Sequence, residues 1–208
     1  MSVPTTRQRL PYEQACSIAE ELVDLLAPHC EKLQVCGSIR RNAITCGDID
    51  LVAVPKLAPI AGLFGPSDGH VDVLNAELDE LCGRQVIHQA RRSDGKIAGW
   101  GPKLRKLTFR NMPVQIRHAE SDNLGLVVLI ATGPAAYSHA FVTPRGTRAA
   151  IRSADGTILA YRNGMLPPGW SVEKGFRLHR AHIFVATPTE EHVYDALGWR
   201  YTDPEDRR

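Results

Sequence analysis

Two acidic residues interrupt a run of apolar residues that otherwise has the composition of a buried β-strand. The run reads GDIDLVAVP, and the acids are Asp48 and Asp50. Residues two apart in a strand point to the same side of a sheet, so we expect both carboxylates on one face. Like charges this close together require a cation. Carboxylate oxygens suit Mg²⁺, which proteins usually hold with one or two carboxylates and the phosphates of a substrate.

A Gly-Ser pair and two arginines precede the acidic residues. Gly37 and Ser38 follow a predicted strand and open a predicted short helix, which places a hydroxyl and free backbone N–H groups where an anion can bind. Arg40 and Arg41 add positive charge, and Gly47 lets a phosphate or a backbone come close to the next strand. With the carboxylates, this pattern indicates a triphosphate-binding site that faces a metal site. The chemistry indicated is metal-assisted phosphoryl or nucleotidyl transfer.

Composition limits the class of protein. The chain has 208 residues, 43% hydrophobic and 23% charged, which is typical of a soluble globular protein with one domain or two small subdomains. No apolar run approaches the ~18 residues that cross a membrane, and no apolar signal core begins the chain. We therefore predict no membrane association and a cytoplasmic location. The five cysteines form no C-x-x-C pair, which argues against a disulfide framework or a structural zinc site.

Positive charge is concentrated locally although the net charge is only +2. Residues 91–117 contain a single acid, Asp94, among many basic residues, and a second basic stretch covers 145–152. Such patches suit phosphate backbones, although a solvated face is the alternative interpretation. The basic residues of the first stretch are Arg91, Arg92, Lys96, Lys103, Arg105, Lys106, Arg110 and Arg117.

Hydrophobic periodicity predicts an α+β fold, a mixed sheet with flanking helices. We place a first domain at 1–142 and a small mixed C-terminal subdomain at 143–208, divided at the sequence TPRG. Thr187 and Glu190 predict a capping box for the last helix, with Pro188 in its first turn. Turns are predicted at Asp155-Gly156 and Asn163-Gly164. The predicted helices are 12–27, 71–81, 123–131, 134–142 and 189–197; the predicted strands are 32–36, 49–55, 85–90, 103–110 and 114–119; the predicted loops are 57–70 and 91–102.

The motif GSIRRNAITCGDID resembles the nucleotidyltransferase signature of the family X DNA polymerases, the DNA polymerase beta family. Two later segments, VQIR at 114–117 and TG at 132–133, fall at that family's spacing. The closing sequence TPTEEHVYDALGWRYTDPEDRR is similar to the family's last helix and tail. The resemblance covers about residues 12–208 and is closest in look to short phage or prophage members. It implies a nucleotidyltransferase palm.

The resemblance also implies roles for individual residues. Asp48 and Asp50 would bind the catalytic Mg²⁺ ions, with Mn²⁺ as an alternative metal. Family members extend DNA, usually at gaps or nicks and thus in repair, so a nucleoside triphosphate and a DNA primer are the implied partners. The implied nucleotide-binding residues are Gly37, Ser38, Arg41, Gly47, Thr132, Gly133, Tyr137 and Ser138. The implied DNA contacts are Arg105, Lys106 and Arg117, the last beside the primer terminus.

One departure from the family pattern concerns catalysis directly. Gln115 stands where the family carries a third aspartate. A glutamine amide cannot accept a proton as a base, and losing that help costs ~10²–10⁴ in rate. Asp122 lies near enough in sequence to replace the lost carboxylate, whereas Glu120 should point to the opposite strand face. We therefore predict retained nucleotide binding with impaired chemistry.

A second departure concerns the sugar. Ile130 and Ala131 replace two aromatic residues of the polymerase beta type, which leaves the choice between deoxyribonucleotides and ribonucleotides open. Three functions remain in competition. The first is nucleotidyl transfer to DNA ends or gaps, and the second is a degenerate module that binds nucleotide or DNA. The third is nucleotidyl transfer to a protein or a small molecule, which the basic loop and the polymerase-like tail disfavour.

Overall fold

The computed structural model describes residues 9–62, 65–152 and 158–207. Contacts divide the chain into two compact units, Met1–His118 and Ala119–Arg208, which we call the first and the second unit. The division that the sequence predicts after residue 142 stays a prediction. In the described residues no helix is both long and apolar enough to cross a membrane. The cytoplasmic location also stays a prediction.

The first unit is built on one mixed sheet. Its elements are β1 (Leu10–Pro11), α1 (Tyr12–Leu26), a 3₁₀ turn (Ala27–His29), β2 (Cys30–Val35), α2 (Gly37–Arg40), β3 (Thr45–Cys46), β4 (Ile49–Pro55), β5 (Leu57–Gly62), β6 (Gly65–Asp72), α3 (Val73–Gly83), β7 (His88–Gln89), β8 (Trp100–Gly101), β9 (Leu104–Phe109) and β10 (Met112–His118). The main sheet has the order β2-β4-β10-β9-β7, with β8 also paired to β9. Only the β4–β10 pair in this described sheet is parallel. The predicted α+β class is confirmed.

One face of this sheet forms the core of the first unit. Alternate residues of β9 and β10 are buried. Together with Ile49, Leu51 and Ala53 of β4, they share a cluster with the apolar sides of α1 and α3. The opposite face carries the polar residues of the same strands, because a strand side chain alternates between the two faces. The core cluster includes Leu22, Leu26, Ile49, Leu51, Leu74, Leu78, Leu107, Val114 and Ile116.

The second unit combines three helices with two small sheets in its described residues. Its elements are α4 (Leu124–Thr132), α5 (Ala135–Val142), β11 (Arg148–Arg152), β12 (Ile158–Asn163), β13 (Trp170–Glu173), β14 (Arg177–Arg180), β15 (Ile183–Val185), α6 (Glu190–Leu197) and a 3₁₀ turn (Pro204–Asp206). Strands β11 and β12 form a hairpin, and β13, β14 and β15 form an antiparallel sheet. The predicted turn at Asp155-Gly156 lies outside the described residues. The core is rich in aromatic residues, with Tyr137, Phe141 and Tyr194 buried in one cluster.

The predicted loop at 57–70 is wrong, because β5 and β6 pair as an antiparallel hairpin there. Its apolar residues Leu57 and Val71 are exposed, so the pattern of burial that identifies a strand is absent. The next helix begins at Val73 rather than at residue 71. Asp72 caps it, since the Asp72 carboxylate accepts a hydrogen bond from the Asn75 backbone N–H at 2.8 Å.

The cap of α6 also differs from the prediction. Thr189 is the N-cap residue, and its hydroxyl oxygen accepts from the His192 backbone N–H at 3.5 Å. The Thr187 hydroxyl is buried without a hydrogen-bond partner. The capping box predicted from Thr187 and Glu190 is therefore wrong, and the cap lies two residues later.

We expect Thr189→Ala to lower the free energy of unfolding of the second unit by about 1 kcal/mol, the usual cost of losing an N-cap side chain. Thr187→Val is the matched control, because it exchanges an unsatisfied buried hydroxyl for a methyl group of the same shape and should be neutral or stabilising. Urea unfolding of both variants measures the two effects. A larger loss of stability in Thr187→Val than in Thr189→Ala would instead support the capping box predicted from Thr187 and Glu190.

Candidate nucleotide and metal site

The two carboxylates of the acidic motif lie at the start of β4. Asp50 is the second residue of this strand and Asp48 immediately precedes it. Ile49 and Leu51 are fully buried in the core, so Asp50 points to the opposite, polar face of the sheet. Burial, and then the negative charge of Asp48, raise the pKa of Asp50 from its usual 3.8 to about 6. A nearby cation stabilises the ionised form of a carboxylate that is buried in this way.

The Gly-Ser turn lies directly against Asp50. The Cys36 backbone N–H donates to the Asp50 carbonyl oxygen at 2.8 Å. Gly37 has a φ of +62°, and a Cβ there would lie 2.3 Å from Asp50 Oδ2. Only glycine fits this position. The next hydroxyl, Ser38 Oγ, is buried with no hydrogen-bond partner, which leaves it available to a ligand.

Two cations lie beside the acidic motif. Arg41 directly follows α2, and its charge acts on Asp50. Arg9 lies over Gly47, where a Cβ would be 3.1 Å from Arg9 Nη1. The Arg9 guanidinium also donates to the Thr45 hydroxyl at 2.9 Å. Sequence reasoning missed Arg9, because it precedes the first helix and no local pattern links it to a motif that follows β2.

Gln115 is the central residue of the polar face. It pairs with Asp50 across the parallel β4–β10 pair and with Lys106 across the antiparallel β9–β10 pair. The structure therefore brings Gln115 beside Asp50. The acids weighed as substitutes are engaged elsewhere, since Glu120 and Asp122 both form ion pairs with Arg177 in the second unit.

The donor set at this site fits a divalent metal with a phosphate ligand. Asp48 and Asp50 supply hard oxygen ligands, and the unpartnered Ser38 hydroxyl suits a phosphate oxygen. Within the described residues no group of three or more His, Cys, Asp or Glu side chains has metal-binding geometry.

Comparison with known proteins agrees with this geometry. Residues 9–100 match the family model described as DNA polymerase beta palm. This segment is similar to the palm of DNA polymerase beta. The chain is also similar to DNA polymerase lambda of Rattus norvegicus, with 25% identity over 206 residues, 96% of this chain and 33% of that protein. It thus spans about a third of the length of that relative. The resemblance predicted from the acidic and Gly-Ser motifs is confirmed.

The matched palm segment contains both aspartates and the Gly-Ser turn, while Gln115 follows it in the chain. Beside Gln115 on the polar face lie two of the predicted DNA contacts. Arg117 and Lys106 both act on the Asp50 carboxylate by their charge, and Arg117 Nε is buried with no hydrogen-bond partner. Their role toward DNA stays a prediction.

Arg105, the third predicted DNA contact, belongs to the core side of the palm sheet. Its side chain is only 8% exposed and pairs with Asp79 at 3.2 Å. It donates to Asn75 Oδ1 at 2.7 Å and stacks 4.5 Å from the centre of the Trp100 ring. Arg105 faces the buried side because Leu107 and Phe109, its strand-alternation partners, are buried. The geometry gives no support to a DNA contact, and we remove Arg105 from the site.

The remaining predicted residues lie in the second unit, at the junction of α4 and α5. Thr132 is fully buried, and a Cβ on Gly133 would lie 2.9 Å from Ser138 Oγ. The Ser138 hydroxyl donates to the Ile130 carbonyl at 2.8 Å. The Tyr137 hydroxyl meets that of Tyr194 at 2.8 Å. These contacts make a tight turn, and they engage both side chains inside the second unit. A contact of Tyr137 or Ser138 with a base finds no support here.

Proposed function

We propose that this chain is a polymerase-like nucleotidyltransferase that binds a Mg²⁺–nucleoside triphosphate on its palm and adds nucleotides slowly to DNA 3′ ends, at gaps or ends. The observation that carries the proposal is the pairing of Gln115 with Asp50, beside Asp48 and the Gly-Ser turn. The residues that would hold nucleotide and metal are retained at this point of the sheet, whereas Gln115, which would lie closest to the reacting hydroxyl, has no carboxylate.

Each residue has a defined task in this proposal. Asp48 and Asp50 would hold Mg²⁺, or Mn²⁺ in its place. A bound ion of this kind neutralises the triphosphate and lowers the pKa of an attacking hydroxyl. Ser38, whose hydroxyl is buried without a partner, would donate to a β- or γ-phosphate. Arg41 and Arg9 would supply positive charge to the same phosphates.

Gln115 limits the rate rather than the affinity. Its amide oxygen is a neutral ligand and cannot take the proton of the attacking 3′-hydroxyl. Loss of positioned proton transfer costs about 10²–10⁴ in rate. Nucleotide binding is expected to persist, because the residues that contact the triphosphate lie on the other side of Asp50.

Primer extension tests the proposal. We expect slow, metal-dependent extension of labelled primed and gapped DNA with Mg²⁺ or Mn²⁺, and no extension by Asp48→Ala. Asp24→Asn is a matched control, since Asp24 is an exposed residue of α1 and its loss should leave the rate unchanged. Absence of extension with both metals at high protein concentration would contradict the enzyme.

The second candidate is a nucleotide-binding module without turnover. Glu120 and Asp122 form ion pairs with Arg177. These pairs favour the module, because they engage the two acids that could have replaced the carboxylate missing at position 115. Calorimetry separates the candidates: binding of a nucleoside triphosphate without extension identifies the module. A gain in protein mass after incubation with each nucleotide would instead point to transfer onto a protein acceptor.

A further inference from the structure

Lys106 occupies the position next to Gln115 on the side away from Asp50. The register runs Asp50, Gln115, Lys106 across β4, β10 and β9. Neighbouring strands are about 4.8 Å apart, so the Lys106 and Asp50 backbones are separated by roughly 10 Å. All three side chains belong to the polar face. The long, flexible stem of a lysine can carry its charge across much of that distance.

The structure holds the stem of Lys106 in place. The Lys106 backbone N–H donates to the Gly99 carbonyl at 2.8 Å, and its carbonyl accepts from the Ala90 N–H at 2.9 Å. Gly99 has a φ of +62°, and a Cβ there would lie 2.8 Å from Lys106 Cγ and 2.9 Å from Cδ. The backbone of Gly99 therefore packs against the methylene groups of Lys106.

The charge of Lys106 acts on Asp50. Arg117, Arg41 and Lys106, in decreasing order of effect, are the cations whose charge favours ionised Asp50. A site with a third carboxylate at position 115 would carry one more negative charge and would need a second cation beside it. Here Gln115 is neutral and Lys106 brings one positive charge. Both differences reduce the need for a second metal ion at that side of the site.

We propose that this site binds a single divalent ion, at Asp48 and Asp50, and that the Lys106 ammonium adds to the positive charge of Arg117 on the Gln115 side. The inference rests on the proposed function and specifies its metal site. It predicts what happens when Gln115 is replaced by the aspartate that the family carries at this position. A carboxylate introduced there alone would pair with the ammonium of Lys106 and would not become a free metal ligand.

Counting bound Mn²⁺ by electron paramagnetic resonance tests this inference. The titration uses Mn²⁺ with a non-hydrolysable α,β-imido nucleotide analogue. We expect one ion per chain for the unmodified protein and for Gln115→Asp, and two for Gln115→Asp combined with Lys106→Gln. Asp48→Ala should lose the ion of the unmodified protein. Circular dichroism confirms that each variant is folded.

Lys96 provides the matched control, because it is an exposed lysine of the same basic stretch, residues 91–117, and is not among the charges that act on Asp50. Gln115→Asp combined with Lys96→Gln should still bind one ion. Two ions in the unmodified protein or in Gln115→Asp alone, or one ion in the Gln115→Asp, Lys106→Gln variant, would overturn the inference and leave the proposed function intact. Failure to bind the analogue at all, measured by calorimetry, would overturn both.

Discussion

Asp50→Asn is expected to abolish nucleotidyl transfer and, at the same time, to stabilise the metal-free protein. We expect the rate of primer extension to fall by at least about 10³, because the substitution removes a ligand of the metal that stabilises the transition state. At pH 8, without divalent metal, we expect the free energy of unfolding of the first unit to rise by about 3 kcal/mol. Loss of function and gain of stability both follow from removing this buried carboxylate.

The direction of the pH effect follows from the pKa of Asp50 in the folded chain compared with that in the unfolded chain. Burial and Asp48 raise the pKa of Asp50 from 3.8 to about 6 in the folded chain, so the folded state binds the proton more tightly than the unfolded state. Stability therefore falls as the pH rises through this interval, and the whole cost is present above it. A shift of two units corresponds to roughly 3 kcal/mol. An asparagine amide has no charge to desolvate and avoids this cost.

Urea unfolding between pH 3.5 and 8 measures the effect, with hydrogen exchange in β4 and β10 to report on the first unit by itself. The stability difference between Asp50→Asn and the unmodified protein should be near zero at pH 3.5 and should reach its full value at pH 8. Asp24→Asn, at an exposed position of α1, should stay within about 0.5 kcal/mol throughout. A difference that does not change with pH would show that the carboxylate charge is not its cause.

The sequence predicts the acidic and Gly-Ser motifs well because both are local. Strand alternation and a turn glycine determine where Asp48, Asp50 and Ser38 point. The position of Gln115 was predicted by family spacing, yet its pairing with Asp50 is a contact between strands 65 positions apart in the chain. That register depends on the packing of β10 against β4, which single-strand periodicity does not specify.

The errors have equally physical causes. Arg105 was placed on the DNA side although Leu107 and Phe109 share its face, a signal that the sequence contained. Arg9 gave no signal, since its contact with Gly47 and Thr45 depends on the path of the chain before α1. The β5–β6 hairpin was missed because Leu57 is 62% and Val71 42% exposed. Periodicity detects strands that bury one face, and this hairpin leaves these apolar residues in solvent.

The second large effect is expected at a buried ion pair in the second unit. Arg207 Nη1 and Glu190 Oε1 are 2.8 Å apart, with side chains 0% and 4% exposed. The other guanidinium nitrogens of Arg207 donate to the Thr202 carbonyl at 3.1 and 3.0 Å. The pair therefore fixes the segment after α6 to the first turn of that helix.

We expect Arg207→Met to lower the free energy of unfolding of the second unit by about 3–5 kcal/mol, because it leaves the Glu190 charge buried without its partner. Urea unfolding, with hydrogen exchange in α6, measures the loss. Replacing both residues by methionine should recover most of it, since the uncompensated charge is then absent.

Arg110→Met is the matched control for this prediction. Arg110 pairs with Glu21 at 2.5 Å, but the two side chains are 63% and 43% exposed. Water solvates whichever charge remains there, so breaking this pair should change stability very little. The two substitutions are chemically identical, and the ion pairs that they break differ in burial. If Arg207→Met is as harmless as Arg110→Met, then Glu190 reaches solvent or takes up a proton when its partner is removed, and the pair does not anchor the segment after α6.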